Sequence, residues 1–379
     1  MPSIQKHWDI FCSVVDNYGD VGVAWRLARQ LADEHAIAVR LYVDDRSALR
    51  RIAPHATSSV AVLHWTGPSG EFSNAEAAPA DVVIEAFGCG LPAAYLDAMS
   101  AQALQPLWIN LEYLSAEAWV EGSHGLASRL PQRPLTRIFY FPGFTPRTGG
   151  LLRERGLFAR RDAFRADAAA RAALWRTLQT DAPGPGTLTV SLFCYPNPAL
   201  PSLLDAWASG STPVLCFVAE GVASTELDAW TGGAQRQPGQ SMRHGSLTLA
   251  RVPFVAQDDF DQLLWACDLN FVRGEDSFVR AQWAARPLVW HCYPQAENAH
   301  LAKLDAFLSC YGAGLTPEAA AAQVAFANAW NGRAAPAPAW QAFADALPAL
   351  TARAQAWAAS LAAMPDLAAG LAEVAGKRV

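Results

Sequence analysis

The chain alternates short apolar runs with longer stretches in which apolar positions recur every three or four residues, a pattern that predicts buried strands separated by amphipathic helices. In the first half the apolar runs fall at Trp8 to Val15, Ile37 to Val43, Val60 to Trp65, Asp81 to Phe87, Leu107 to Leu111 and Arg137 to Phe141. The first run ends in the turn Asp16-Asn17-Tyr18-Gly19-Asp20-Val21-Gly22. A helix follows, in which Val23, Leu27 and Leu31, flanked by Ala24 and Ala28, make an apolar stripe, with Arg26, Arg29, Asp33 and Glu34 off it. A second series begins at Thr187, with strands at Leu188 to Phe193, Pro213 to Val218, Leu247 to Val252, Leu269 to Val272 and Leu288 to Cys292. Helices Ala199 to Ser209, Ser224 to Thr231 and Asp258 to Cys267 separate them, and a further helix follows Ser277. Strands alternating with helices imply mostly parallel sheets covered on both faces, so the pattern predicts an α/β protein of two Rossmann-like domains in tandem. Turn formers at 131–150 precede an Arg- and Ala-rich stretch, Leu151 to Gln179, which the segment Asp181-Ala182-Pro183-Gly184-Pro185-Gly186 closes. The expected organisation is therefore an N-terminal domain over 1–150, a crossover and linker over 151–186, a C-terminal domain over 187–355, and a helix over 356–379 that packs back on the first domain. Trp330, Trp340, Phe343 and Trp357 are the expected packing anchors of the Ala-rich tail.

Composition narrows the function. A chain of 379 residues, 52% hydrophobic and 17% charged, can bury two cores. Its net charge of -6 argues against a nucleic-acid surface, which asks for clustered Lys and Arg. Seven cysteines without a Cys-x-x-Cys pair read as reduced thiols, and no secretory leader or uninterrupted membrane-length apolar run is visible, so a cytoplasmic location is expected. The histidines have no partners at metal-ligand spacing, and no metal site or cofactor is expected.

Candidate chemistry gathers at strand ends. The stretch from Asp268 to Ala285 runs from an apolar strand through Arg273-Gly274-Glu275-Asp276-Ser277 into a helix that Asp276 or Ser277 can cap. Free N–H groups at such a helix start, together with its dipole, favour a diphosphate, so this stretch reads as a nucleotide-sugar site. The Ser277 hydroxyl would then face the phosphates, while Glu275 and Asp276 would hold hydroxyls, amides or a cation. The same residues would serve equally as one more capped helix of an α/β sheet. The turn after the first strand lacks the GxGxxG dinucleotide fingerprint and instead places Asp16 and Asp20 around Gly19 at a strand's carboxyl end, where open α/β sheets bind ligands. There too a turn former and a helix cap are the plainer alternative. Gly88, Gly90 and Asn110-Leu111-Glu112-Tyr113 put further small or polar groups at strand ends. Phe193 and Tyr195 would offer a stacking face and a hydroxyl, with packing purely as core the plainer alternative, and Gln257 would be able to read a nucleobase edge.

In order and spacing, DNYGDVG near the N-terminus, SLFCYPN in mid-chain, VPFVAQDDFD and RGEDSFVRAQWA together resemble the elongation factor P arginine rhamnosyltransferases over essentially the whole chain. The family pattern more often has Phe and Ile where this chain has Tyr18 and Val21. The resemblance implies a GT-B glycosyltransferase whose two Rossmann-like domains face each other across a cleft. It implies transfer of rhamnose, with inversion, from dTDP-β-L-rhamnose to an arginine in the N-terminal domain of elongation factor P, a modification that helps ribosomes stalled at proline runs, with no nucleic-acid or membrane partner. It makes Asp20 the catalytic carboxylate, with Asp16 beside it and Glu275 as a further catalytic candidate. The donor set it implies is Asn17, Tyr18, Gly19, Phe193, Tyr195, Phe254, Gln257, Arg273, Glu275, Asp276, Ser277 and Tyr293. A GT-B transferase with another acceptor, or a non-catalytic protein that binds a translation factor, are the competing readings; a nicotinamide dehydrogenase is weakened by the missing fingerprint.

Overall fold

The computed structural model describes residues 7–16, 18–54, 59–70, 72, 78–233 and 237–377. The chain divides into two compact units, residues 1–155 with 361–379, and residues 156–360.

The first unit holds β1 (His7–Cys12), α1 (Gly19–His35), β2 (Ala38–Val43), α2 (Arg46–Ile52), β3 (Ala61–His64), β4 (Val82–Ala86), α3 (Ala93–Ala101), β5 (Leu107–Leu111), α4 (Trp119–Ser123), β6 (Ala127–Arg129) and β7 (Thr136–Tyr140). Its sheet runs β3-β2-β1-β4-β5-β7-β6, parallel except where β6 pairs antiparallel with β7. β1 has β2 on one side and β4 on the other, so the strand order reverses there. The carboxyl ends of β1 and β4 thus flank the crevice in which open α/β sheets place ligands. Phe11, Tyr42, Tyr95 and Trp108 pack a buried aromatic core on one face. At its margin the fully buried Asp9 accepts two 2.6 Å bonds from Arg40 and one from the Tyr95 hydroxyl, so the charge is paired as burial requires.

The second unit continues with α5 (Leu157–Ala166), α6 (Ala168–Thr177), β8 (Leu188–Leu192), α7 (Leu200–Ser209), β9 (Val214–Ala219), α8 (Ser224–Thr231), β10 (Ser241–His244), β11 (Leu247–Val252), α9 (Gln257–Ala266), β12 (Leu269–Arg273), α10 (Asp276–Ala284), β13 (Leu288–His291), α11 (Ala299–Gly312), α12 (Pro317–Trp330) and α13 (Pro336–Asp345). Its sheet runs β10-β11-β9-β8-β12-β13, with only β10 antiparallel. Here β8 lies between β9 and β12, which puts the reversal at the carboxyl ends of β8 and β12. Trp330, Trp340 and Phe343 are buried against the sheet's neighbours, as the tail pattern predicts.

The tail ends in α14 (Leu347–Ala362) and α15 (Leu367–Gly376), and α15 lies on α1 within the first unit. Gln30 Nε2 donates to Arg153 O at 2.7 Å and to Asp366 Oδ1 at 3.0 Å, and Leu367 N donates to Leu151 O at 3.0 Å. Residues 347–376 are apolar enough to cross a bilayer by composition. They are broken at 363–366 into helices of 16 and 10 residues, each shorter than the roughly 20 a span requires, with Leu350, Trp357, Leu361, Leu367 and Leu371 buried in protein.

Two strands depart from expectation. β6 and β10 are short antiparallel edge strands of mostly exposed residues, and an edge strand with no buried face leaves no apolar period to read. Of the stretch expected as crossover and linker, residues 156–186 belong to the second unit and carry α5 and α6.

Candidate active-site residues

In the first unit the turn after β1 runs straight into α1. The N-cap is Tyr18, which makes no side-chain capping bond, so neither Asp16 nor Asp20 acts as the cap. Asp20 is the second residue of α1 and is 3% exposed. Its carboxylate turns back toward the strand end, where Oδ2 accepts from Val15 N at 2.9 Å and Asp16 N at 2.8 Å. Oδ1 accepts from the Tyr113 hydroxyl at 3.2 Å. A Cβ at Gly19 would lie 2.9 Å from Asp16 Oδ2, so a side chain there would push that carboxylate aside. Gly19 N donates to Asp16 O at 2.6 Å, closing the turn. Asp16, Tyr18 and Gly19 therefore sit with Asp20 at the switch point of this sheet, while Asn17 lies outside the described residues. Cys12, fully buried at the end of β1, is no nucleophile, because burial and the nearby Asp20 charge push its thiol well up.

The loop after β4 completes this corner. Phe87 has φ +58°, in the left-handed region that a bulky residue rarely occupies. Its ring stacks on Tyr113 with centroids 4.5 Å apart and planes 19° off parallel, and Phe87 N donates to Leu111 O at 2.7 Å. Tyr113, read from the sequence as one of the polar groups past the end of β5 but given no role there, is placed by the structure against the Asp20 carboxylate.

In the second unit the ends of β8 and β12 bring Phe193, Tyr195 and Arg273 together. The Arg273 guanidinium lies 4.3 Å from the Phe193 ring centroid and 4.9 Å from that of Tyr195, and Nη1 donates to Cys194 O at 3.0 Å. A planar cation held on aromatic faces keeps its outward edge for an anion. Tyr195 also meets Tyr293, itself 44% exposed, edge-on at 5.4 Å. Phe193 packs against Phe260 at 5.5 Å. Phe254 is half-buried in the loop between β11 and α9.

The turn from β12 into α10 is built differently from the expectation. Gly274, at φ +58°, makes the bend, its carbonyl accepts from Trp290 Nε1 at 2.8 Å, and the N-cap is Glu275 rather than Asp276 or Ser277. Ser277 is buried; its hydroxyl donates to Arg273 O at 2.5 Å and accepts from Arg273 N at 3.1 Å. The proton expected to face phosphate is thus committed to closing the turn. Gln257, the first residue of α9, donates through Nε2 to Asp276 Oδ2 at 2.9 Å. Asp276 is also held by Arg280 Nε at 2.9 Å, and Arg280 Nη1 reaches Asp261 at 2.8 Å. Of the two carboxylates at the helix start, Asp276 therefore holds a cation of its own chain. Glu275 is half-buried at the helix entrance and makes no capping bond.

His291, at the end of β13, lies edge-on to Tyr195 at 5.4 Å and is 7% exposed. Burial, with the positive charges of Arg273 and His300, lowers its pKa to about 4. The unfolded state therefore binds a proton below the ordinary value of 6.5 that the folded state takes up only near 4. Stability is expected to fall as pH drops through that window, by about 3 kcal/mol for this residue. Urea unfolding at pH 7 and pH 4.5 is expected to give a smaller pH difference for His291→Asn than for wild type; equal differences would remove His291 from the account.

Comparison with known proteins follows the same outline. A family model described as "Elongation-Factor P (EF-P) rhamnosyltransferase EarP" matches residues 8–375. A protein-arginine rhamnosyltransferase of Pseudomonas putida is 53% identical over 86% of this chain and 87% of its own, and one of Neisseria meningitidis is 38% identical over 85% and 83%. A solved structure concerning EarP-mediated arginine glycosylation of translation elongation factor EF-P superposes with TM-score 0.73 at 39% identity, covering 99% of this chain and 100% of that one. Acinetobacter baumannii MurG, at TM-score 0.50 and 15% identity over 98% of this chain and 99% of its own, shares the fold alone.

Proposed function

The chain belongs to the elongation factor P rhamnosyltransferase family, and from that premise we propose that it is a protein-arginine rhamnosyltransferase of GT-B architecture, moving L-rhamnose from dTDP-β-L-rhamnose to one arginine of elongation factor P. The work is cytoplasmic, where translation of polyproline stretches depends on that factor.

The observation that carries the mechanism is Asp20, a nearly buried carboxylate at a strand-order reversal, fixed by two backbone N–H groups. A guanidinium has a pKa above about 12, so a neutral nucleophile is scarce in water. A fixed carboxylate orients the planar group through an N–H···O bond and accepts its proton as the new bond forms. Asp16, on the same turn, supports the acceptor side.

The donor reading rests on the second unit. Arg273, seated on Phe193 and Tyr195, offers a cation beside the N-terminus of α10, where backbone N–H groups and the helix dipole also favour a diphosphate. Phe254 and the exposed Tyr293 are the aromatic faces for thymine or sugar, Gln257 and Asp276 the polar groups beside them, and Glu275 the carboxylate for sugar hydroxyls. These groups meet the negative charge of departing dTDP, so we propose a reaction without a metal cofactor. A guanidino nitrogen bonds to the anomeric carbon as the bond to the diphosphate oxygen breaks on the opposite face. The proton passes to Asp20 and the configuration inverts.

Intact-mass spectrometry of elongation factor P after incubation with this protein and dTDP-rhamnose tests the reading. A gain of one deoxyhexose is expected, lost when the acceptor arginine becomes lysine. No gain, with dTDP still raising the melting temperature, would keep the transferase and discard the acceptor.

A further inference from the structure

We infer that Tyr113 is a positioning residue for Asp20, bracing Oδ1, the oxygen that receives the arginine proton. The inference rests on the reaction proposed above and adds a residue to it.

An ionised carboxylate has roughly four acceptor positions, two on each oxygen. On Asp20 both positions of Oδ2 are taken by Val15 N and Asp16 N, and one position of Oδ1 is taken by the Tyr113 hydroxyl. Among the described residues these bonds leave a single position, on Oδ1. With the residue only 3% exposed, the carboxylate has no room to turn and present another. The two backbone bonds fix one oxygen to the strand end. Because both oxygens turn together about Cβ–Cγ, those bonds also set the carboxylate plane. The phenol adds a bond to Oδ1 from the far side of the corner, 93 residues along the chain, and braces that plane from the opposite edge.

What holds the phenol supports a positioning role. Tyr113 lies just past the end of β5, two strands from β1 in the sheet, and reaches Asp20 with the Phe87 ring lying flat on its own, centroids 4.5 Å apart. Phe87 does this at φ +58°, a conformation that costs a non-glycine residue of order 1–3 kcal/mol and clusters at functional sites. Phe87 N is tied to Leu111 O at 2.7 Å, two residues before Tyr113. The strained residue and the phenol are thereby joined both through their rings and through the backbone.

At 3.2 Å the hydroxyl-to-carboxylate contact is longer than the usual 2.7–2.8 Å. Catalytic hydrogen bonds commonly tighten once the reacting partner is in place. During transfer the N–H bond of the attacking guanidino nitrogen breaks, the proton goes to the remaining position on Oδ1, and the nitrogen electron pair forms the C–N bond. The pair of the anomeric C–O bond leaves with the diphosphate. Tyr113 gains and loses no proton; its bond holds Oδ1 on the line of transfer.

Tyr113→Phe keeps the ring and its stack on Phe87 and removes only the hydroxyl. Steady-state assays with elongation factor P and dTDP-rhamnose are expected to show kcat lowered about 10- to 100-fold, KM for each substrate within about twofold, and a melting temperature lowered by a few degrees at most. In an Asp20→Asn background the same change is expected to lower the residual rate no further, because the hydroxyl acts through the carboxylate. Wild-type kcat in Tyr113→Phe would overturn the inference, as would a rise in KM with kcat intact or a full additive loss in the Asp20→Asn background. A wild-type protein that transfers no deoxyhexose in that assay would instead overturn the proposed function on which both rest.

Discussion

Asp20→Asn is expected to lower kcat by about three orders of magnitude while leaving nucleotide binding unchanged. The amide oxygen can take over the two backbone bonds that Oδ2 accepts from Val15 and Asp16, so the turn between β1 and α1 keeps its shape. The other end becomes an NH2 that cannot accept the proton of an attacking guanidino nitrogen. General-base catalysis by a positioned side chain contributes typically 10²–10⁴-fold, and the substitution removes that contribution without a cavity. The expected split is therefore a large fall in kcat with the melting-temperature rise on adding dTDP the same as wild type, since the groups proposed for the diphosphate and base, Arg273, Phe254 and Gln257, belong to the second unit. Wild-type turnover in Asp20→Asn would end the assignment of this carboxylate. A lost response to dTDP would instead mean that Asp20 serves the donor.

Arg280→Met is expected to destabilise the second unit strongly. Arg280 is 2% exposed by its side chain and bridges Asp261 and Asp276, whose side chains are 9% and 14% exposed. Methionine fills similar space, but it leaves two nearly buried carboxylates next to each other without their cation. Removing one partner of a buried ion pair costs about 3–5 kcal/mol, much of it the penalty of stranding the remaining charge. In a unit of this size that is a fall of about 10 °C in melting temperature. Two readouts separate charge from packing. Adding Asp261→Asn to Arg280→Met is expected to recover part of the stability, and dTDP is expected to bind Arg280→Met more weakly, because Asp276 loses the bond that sets it beside Gln257. A melting temperature within about 2 °C of wild type would show that the cluster is solvated and worth little.

The strands and the placing of most helices were legible because their determinants are local. Apolar runs such as Trp108 to Leu111 and Val214 to Val218, and the stripe of Val23, Leu27 and Leu31, state which residues face a core through the period of the chain alone. The same locality put Asp16, Asp20, Phe193, Tyr195 and Arg273 at strand ends, since a strand end is a sequence position. Locality also explains the misses. Ser277 does not cap α10 because its hydroxyl is taken by the Arg273 backbone, and β6 and β10 have no buried face to produce a pattern.

What the sequence determined by itself is two α/β units with chemistry-bearing residues at the carboxyl ends of particular strands. Only the tertiary structure decided which of those ends are neighbours. The order β2-β1-β4-β5 brings Phe87 and Tyr113 to Asp20, and the order β9-β8-β12 seats Arg273 on Phe193 and Tyr195. It also decided that the Ser277 hydroxyl is spent on the Arg273 backbone and that Asp276 answers to Arg280. The physical reason is that strand order and hydrogen-bond partners across a sheet follow from the packing of all the elements at once, whereas hydrophobic period and turn chemistry are written within a few residues of each position.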